Sequence, residues 1–272
     1  MKKYKTPLRY PGGKSRGTKK FSPSFPKQFS EFREPFLGGG SVAIHVSKTY
    51  PDAKVWVNDK YFNLYNFWMQ LRDNGDKLYK TLLDIKTPLV YQTKSIRKKH
   101  GKEITEKINE LNPTNTLWWL QGFLSSAEKK QIKEEIKKQV KEQYISKESL
   151  EKIQKHKELF DTARNNINNV DNFTKAVYFY ILNKCSFSGL GESSSFSEQA
   201  SEQNFSLNGI NALPYYSKLI KNWKITNIDY EEVMNTSGDN CFVFLDPPYD
   251  IKDNLYGKNG NMHSGFDHMR FY

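Results

Sequence analysis

Short apolar runs broken by glycine and proline dominate both ends of the 272-residue chain, and long charged stripes fill its middle. Phe29 and Phe32 lead into residues 33 to 36, which the pattern predicts as the end of a strand. Gly38-Gly39-Gly40 must then turn, because glycine alone reaches positive φ cheaply. Ser41 is the expected N-cap of a short helix carrying Val42, Ile44 and Val46 and ending before Pro51. Residues 54 to 57 alternate as a second strand closed by Asn58-Asp59. An aromatic-rich helix over 62 to 73 stops at Asn74-Gly75. Strand, glycine loop, helix and strand in that order predict a right-handed βαβ unit.

Residues 125 to 160 are mostly Lys and Glu, with Ile132, Ile136 and Val140 at four-residue spacing, then Tyr144, Leu150 and Ile153. This is one amphipathic stripe on a long or broken helix, its charges a solvated face. Residues 172 to 184 predict a more apolar helix with Phe173, Val177, Tyr180 and Ile181 inward. Residues 191 to 205, rich in Ser, Glu and Gln, are expected to form a mobile loop that buries no core. Short strands return at 224 to 228 and 241 to 245. The second reads as a buried central strand stopped by Pro247 and Pro248, which cannot donate to a ladder. Asp246 is thereby held at a strand's carboxyl edge, where open α/β sheets place ligands, although the same letters fit a polar turn. The map is an α/β domain over 1–76 and 216–272, interrupted by a mostly helical insertion over 77–215.

Composition adds a partner. A net charge of +12 and a pI of about 9.4 favour a polyanion, nucleic acid above all. The aromatic content suits base stacking but equally suits a core. Two cysteines argue against a disulfide framework and a Cys-rich zinc site. No stretch approaches the roughly 20 apolar residues of a membrane span, and no apolar segment follows the basic N-terminus. The expectation is an intracellular, unsecreted soluble protein with no membrane partner.

The glycine loop lets a backbone approach a ligand closely, and Asp59 at the end of the second strand can accept both hydroxyls of a ribose. The G-x-G-x-x-G fingerprint is absent, which argues against a dinucleotide and leaves a nucleoside cofactor or a packing turn. Gly12-Gly13-Lys14 presents a cation without phosphate-loop spacing, so triphosphate hydrolysis is disfavoured; the lysine suits a carboxylate as a point charge.

Five stretches together, LRYPGGKS, EPFLGGGSV, VNDKYFNLYN, LNKCSFSGL and FLDPPYD, resemble in content and order the DNA adenine methyltransferase (Dam) family. The resemblance covers residues 6 to 75 and about 175 to 270. DPPY is shared by several amino-methyltransferases; PGGK followed by EPFxGGGS is far more restrictive. The resemblance implies a Rossmann-like domain dependent on S-adenosyl-L-methionine, with the insertion as a target-recognition domain, double-stranded DNA as partner and no metal. It assigns Asp246 and the Pro247 carbonyl to the adenine amine, with Pro248 stiffening the motif and Tyr249 stacking on an extruded base. It places Tyr10 and Lys14 at the methionine end of the cofactor, with Phe36, Gly38, Gly39 and Gly40 beneath it and Asp59 on the ribose. Within TNIDYEEV, Asp229 and Tyr230 resemble the pair contacting the cofactor's adenine; an ordinary strand-end turn is the alternative.

The resemblance has departures. Lys184 stands where the family has arginine and Ser188 where it has asparagine, so no recognition sequence is read. Arg9, Arg16, Lys184 and the cluster over 94 to 99 are candidate phosphate contacts, the cluster equally a solvated patch. Only 23 residues follow Tyr249, and GFDHMRFY resembles a helix leading into a further strand. The sheet is therefore expected to lack C-terminal strands, leaving an exposed edge, and the chain alone to be poorly soluble, oligomeric or weakly active. It would then be a truncated product, one half of a split methyltransferase completed by another polypeptide, or a degenerate DNA-binding relative that is catalytically weak or inactive. Methylation of RNA or of protein glutamine leaves PGGK and the insertion unexplained.

Overall fold

The computed structural model describes residues 6–116, 124–189, 191–248 and 266–271. The chain forms two compact units, one of Met1–Pro88 with Lys157–Tyr272 and one of Leu89–His156. Residues 77–88 and 157–215, which the charge pattern assigns to an insertion, thus lie in the unit that holds the sheet. The reason is the Asn172–Cys185 helix, which buries nine of its residues. Phe179 and Tyr180 of that helix pack against Phe67 of the Phe62–Asp73 helix, with ring centroids 5.9 and 6.0 Å apart.

Four strands, β1 (Glu31–Glu34), β2 (Lys54–Asn58), β3 (Lys224–Thr226) and β4 (Cys241–Val243), form one parallel sheet in the order β3-β2-β1-β4. The pleat sends Phe32, Val55 and Val57 into the core and turns their neighbours to the other face. There Arg33, Trp56 and Lys224 stand opposite one another across three strands. The guanidinium lies 5.1 Å and the ammonium 3.3 Å from the indole ring centroid. Arg33 also pairs with Glu31 at 2.6 Å and donates to the carbonyls of Val233, Thr236 and Ser237 at the end of the Tyr230–Asn235 helix. Replacing Arg33 by Met strands three carbonyls and an acid, so we expect a loss of about 3 kcal/mol of unfolding free energy, read from urea denaturation.

Three expectations are corrected. β4 is not central: among the described residues β1 is its one strand neighbour, and it is half-buried. Its apolar side chains are covered by aromatics earlier in the chain, with Phe242 lying 4.9, 5.4 and 5.5 Å from Phe25, Phe29 and Phe32. Ser41 is not the N-cap of the Ser41–Thr49 helix; Gly40 holds that place at φ 67°. Glu34 supplies the capping bond instead, its carboxylate accepting from the Ala43 N–H at 2.9 Å. The polar stretch 191–205 does bury core: Phe205 is fully buried, and the Glu198–Gln203 helix is capped by Ser197. Serine here ends helices and ties loops rather than soliciting solvent. Asn74-Gly75 ends the Phe62–Asp73 helix as the pattern predicts, and the next helix, Gly75–Lys86, starts at once; a side chain at Gly75 would overlap Ser217.

In the second unit the charged stripe breaks into Ser126–Glu142 and a segment beginning the Lys147–Asn166 helix. Ser125 and Glu128 cap the first in a reciprocal box, with Ser125 N–H 2.8 Å from Glu128 Oε2. Tyr91, Ile104, Val140, Ile145 and Ile153 are buried, and the Tyr91 and His156 rings meet edge-on at 5.3 Å.

Candidate active site

The site is built at the carboxyl ends of the parallel strands. Tyr10-Pro11-Gly12-Gly13 forms a turn, with Gly13 N–H donating to the Tyr10 carbonyl at 3.1 Å and Gly12 at φ 71°. Proline second and a positive-φ glycine third are what a type II turn requires. The turn delivers Lys14, whose Nζ lies 2.7 Å from Asp246 Oδ2 and donates to the Gly12 carbonyl at 3.1 Å. The Tyr10 ring lies on the glycine loop. A Cβ on Gly38, itself at φ 51°, would sit 2.9 Å from that ring, and one on Gly39 would sit 2.9 Å from Tyr10 Cβ. Gly40 turns away, packed against Trp68.

Asp59 closes β2. Its two carboxylate oxygens accept from the backbone N–H groups of Gly38 and Tyr61, each at 2.9 Å. Burial pushes the carboxyl up to about 6, with those two N–H groups pulling the other way. Glu34 is raised well above the ordinary range, first by burial and then by Asp246 and Asp59 nearby, against the Ala43 N–H and Lys14. Asn58 locks the strand ends together: its Nδ2 donates to the carbonyls of Pro35 and Ile228, and its Oδ1 accepts from Ile228 N–H.

These groups line one cavity of about 460 Å³. Pro247 and Pro248 line it beside Asp246. Its other end is aromatic, with Phe36 lying 5.3 Å from Tyr230 and 5.6 Å from Phe266. Asp229 begins the Tyr230–Asn235 helix in a capping box with Glu232 and pairs with Arg270 at 3.2 Å. Arg270 also meets Glu231 at 2.5 Å. The charges on the described lining decide what the cavity suits. Glu34, Asp59, Asp229, Asp246 and Asp267 outnumber Lys14, Lys60 and Arg270, in a protein whose formal charge is +12. A ligand with a positive centre fits this lining; a polyphosphate does not.

The structure thus brings Tyr10, Lys14, Phe36, Gly38, Gly39, Asp59, Asp229, Tyr230, Asp246, Pro247 and Pro248 to one cavity. Gly40 shapes the loop without lining it. Tyr249 and the side chain of Arg16 lie outside the described residues. Arg9 and Lys184 lie off the cavity lining. Arg9 is clamped to Asn183, whose Oδ1 accepts from Arg9 N–H at 2.9 Å and whose Nδ2 donates to the Arg9 carbonyl at 2.6 Å. The Arg9 guanidinium donates to the Ser186 carbonyl at 3.1 Å. Lys184 is 7 % exposed, its ammonium 5.3 Å from the Tyr180 ring.

Sequence reasoning gave no role to Glu34, Asn58, Tyr61 or Phe187. Asn58 is a polar residue closing a predicted strand, a pattern visible in the sequence; Glu34 shows its role only through its contact with Ala43. Phe187 stands 65 % exposed on a loop pinned by Asn183 and by its own N–H to the Ser195 carbonyl at 3.1 Å.

Among the described residues no helix is long and apolar enough to cross a membrane, and no group of three or more His, Cys, Asp or Glu is placed to hold a metal ion. Comparison with known proteins fits the geometry. The chain is similar to the Type II methyltransferase M.MjaIII of Methanocaldococcus jannaschii, 24% identical over 251 residues that cover 89% of this chain and 68% of that protein. A family model described as D12 class N6 adenine-specific DNA methyltransferase matches residues 10–117 and 120–271. A parallel α/β sheet, a cleft at its carboxyl edge and a family match over most of its length make this chain a member of the D12 class of N6 adenine-specific DNA methyltransferases.

Proposed function

We propose that the chain transfers a methyl group from S-adenosyl-L-methionine to the exocyclic amino group of adenine in duplex DNA. The observation that carries this reading is the shared cavity. Asp246 and Pro247 open into the same acid-rich space as Asp59 and the glycine loop, so a methyl acceptor and a cationic donor can meet there. The chemistry that S-adenosyl-L-methionine supplies when bound is an electrophilic methyl group on a positively charged sulfur.

The chain's residues do the rest. The adenine amine is a poor nucleophile because its lone pair is delocalised into the ring. Asp246 and the Pro247 carbonyl each accept a hydrogen bond from one of its N–H groups, which lets the nitrogen pyramidalise and aims its lone pair at the donor. As the new N–C bond forms, the donor's S–C bond would break, the sulfur would leave as a thioether, and one amine proton would pass to Asp246 or to water. Lys14, held on the PGGK turn against Asp246, orients that carboxylate and lies within reach of the donor's own carboxylate. Asp59 accepts from the ribose hydroxyls, the Gly38–Gly39 backbone lets the ligand lie close, and Phe36, Tyr230 and Asp229 take its adenine. Tyr249 stacks on the extruded target base.

DNA contact rests on several features. Arg9, Arg16 and the exposed lysines Lys94, Lys98 and Lys99 supply phosphate contacts; Lys184 is too buried to be one of them. Phe187 is the side chain placed to fill the stack that the target base leaves. The unpaired outer edge of β4 among the described residues supports a further strand, from this chain or a second polypeptide.

The test is transfer of tritiated methyl from S-adenosyl-L-methionine to unmethylated duplex, with modified adenines located by sequencing. Incorporation at defined adenines is expected. DNA binding without incorporation would replace this reading by that of a binding protein. Phe187→Ala is expected to slow transfer to duplex about tenfold to a hundredfold, and transfer to a mismatched target by much less, because a mismatch has already lost part of its stacking. Single-turnover rates on the two duplexes measure the difference.

A further inference from the structure

Residues 191–193 carry an acid that the cofactor cleft uses from behind. Gly191–Ser193 is one short turn, and Gly191 donates its N–H to the Ser186 hydroxyl at 3.1 Å. That places Glu192 against the segment following β2. Glu192 Oε1 accepts from the Tyr61 hydroxyl at 2.5 Å and from Asn63 Nδ2 at 2.6 Å. Tyr61 is not a bystander. It lines the cavity, its ring meets Phe179 edge-on at 5.9 Å, and its backbone N–H is one of the two donors that hold the Asp59 carboxylate.

We propose that Glu192 is a positioning residue of the donor site, fixing the Tyr61 wall and, through it, the Asp59-Lys60-Tyr61 turn that aims the Asp59 carboxylate. This rests on the cofactor reading above. Two short hydrogen bonds to one carboxylate oxygen are charge-assisted and stronger than neutral ones, so they define a single Tyr61 geometry. Without Glu192 the phenol and the Asn63 amide lose their shared acceptor. Tyr61 is then held by its packing on Phe179 and its backbone alone, while Asn227 still donates to the Asp59 and Lys60 carbonyls, so the loss falls on the Tyr61 wall and on the N–H it offers to the Asp59 carboxylate. The polar stretch 191–197 thus serves the nucleoside cleft, and its loop is the same one that presents Phe187.

The test measures binding of S-adenosyl-L-homocysteine by calorimetry and steady-state methylation kinetics on wild type, Glu192→Ala, Glu192→Gln, Tyr61→Phe and the Glu192→Ala/Tyr61→Phe pair. Glu192→Ala is expected to weaken binding and raise the cofactor KM by about tenfold, with kcat at saturating cofactor within about twofold of wild type. Glu192→Gln, which keeps the acceptor oxygen, is expected to restore most of the affinity. The double variant should bind no worse than Glu192→Ala, because both changes remove the same bond. Tyr61→Phe keeps the ring and the fold, so it carries the test alone should Glu192→Ala unfold. Unchanged affinity in both single variants, additive losses in the double variant, or a fall in kcat at constant KM would each overturn the proposal. Wild-type protein that does not bind S-adenosyl-L-homocysteine would instead overturn the proposed cofactor, and this inference with it.

Discussion

Asp246→Ala is expected to lower single-turnover methyl transfer by a factor of about 10² to 10³, while cofactor affinity changes only a few-fold. The first half follows from the chemistry: the carboxylate is the stronger of the two acceptors facing the amine, and deleting one such preorganised contact commonly costs a factor of about 10² to 10³. The second half follows from the geometry. Lys14 loses the partner it holds at 2.7 Å, which frees it to meet the donor's carboxylate and partly offsets the lost order. Asp246→Asn should be nearly as slow, because an amide presents donors as well as an acceptor to the amine. Quenched-flow measurement with saturating DNA and cofactor separates chemistry from binding. An alanine variant retaining a tenth of the wild-type rate would remove Asp246 from the proton-accepting role and the proposed mechanism with it.

Asp59→Asn should make the protein more stable and bind its cofactor worse. Burial raises the Asp59 carboxyl from an ordinary 3.8 to about 6, so the folded chain holds this proton more tightly than the unfolded chain does. That contribution favours folding fully below pH 3.8 and is lost as pH rises through about 6. Above pH 6 the folded protein therefore keeps a buried anion at a cost on the order of 3 kcal/mol. An asparagine avoids that cost but accepts through one oxygen only, so either the Gly38 or the Tyr61 N–H loses its acceptor at about 1 to 3 kcal/mol and the net gain is small. We expect a higher unfolding midpoint at pH 8 together with cofactor affinity reduced by about 100-fold, a stability–function trade-off. In the wild type, cofactor binding should weaken as pH falls below about 6, because the neutral carboxyl is the poorer acceptor for ribose. Glu34, raised in the same direction, shares the cavity, so the Asn variant is the control that isolates Asp59. Calorimetric titrations from pH 5 to pH 8 should show the slope in wild type and flatten it in Asp59→Asn; the same slope in both would assign the titration elsewhere.

Much of this site was legible in the sequence because its parts are backbone devices. The PGGK turn and the GGG loop are dictated by φ angles, which a sequence states directly; β4 ends at Val243, three residues before Asp246, so the two prolines are not what stops it. The Phe62–Asp73 helix and most of the Asn172–Cys185 helix were likewise legible, since periodicity and caps agree there. What stayed hidden depends on tertiary packing. Glu34 looks like any acid until the chain folds and its carboxylate caps the helix after Gly40. Residues 191–205 look solvated because composition does not reveal that Phe205 and Ala200 pack inward. β4 looks central because its aromatic cover, Phe25 and Phe29, is remote in sequence from the strand it shields.

The surplus of carboxylates in the cleft also bears on how the enzyme would reset between cycles. If the donor is the sulfonium proposed above, Asp59 and Asp246 would attract its positive charge; once its methyl is gone, the sulfur is a neutral thioether and that attraction disappears. The same walls that recruit a charged donor would therefore let go of the spent one, so reloading is driven by a change of sign at one atom.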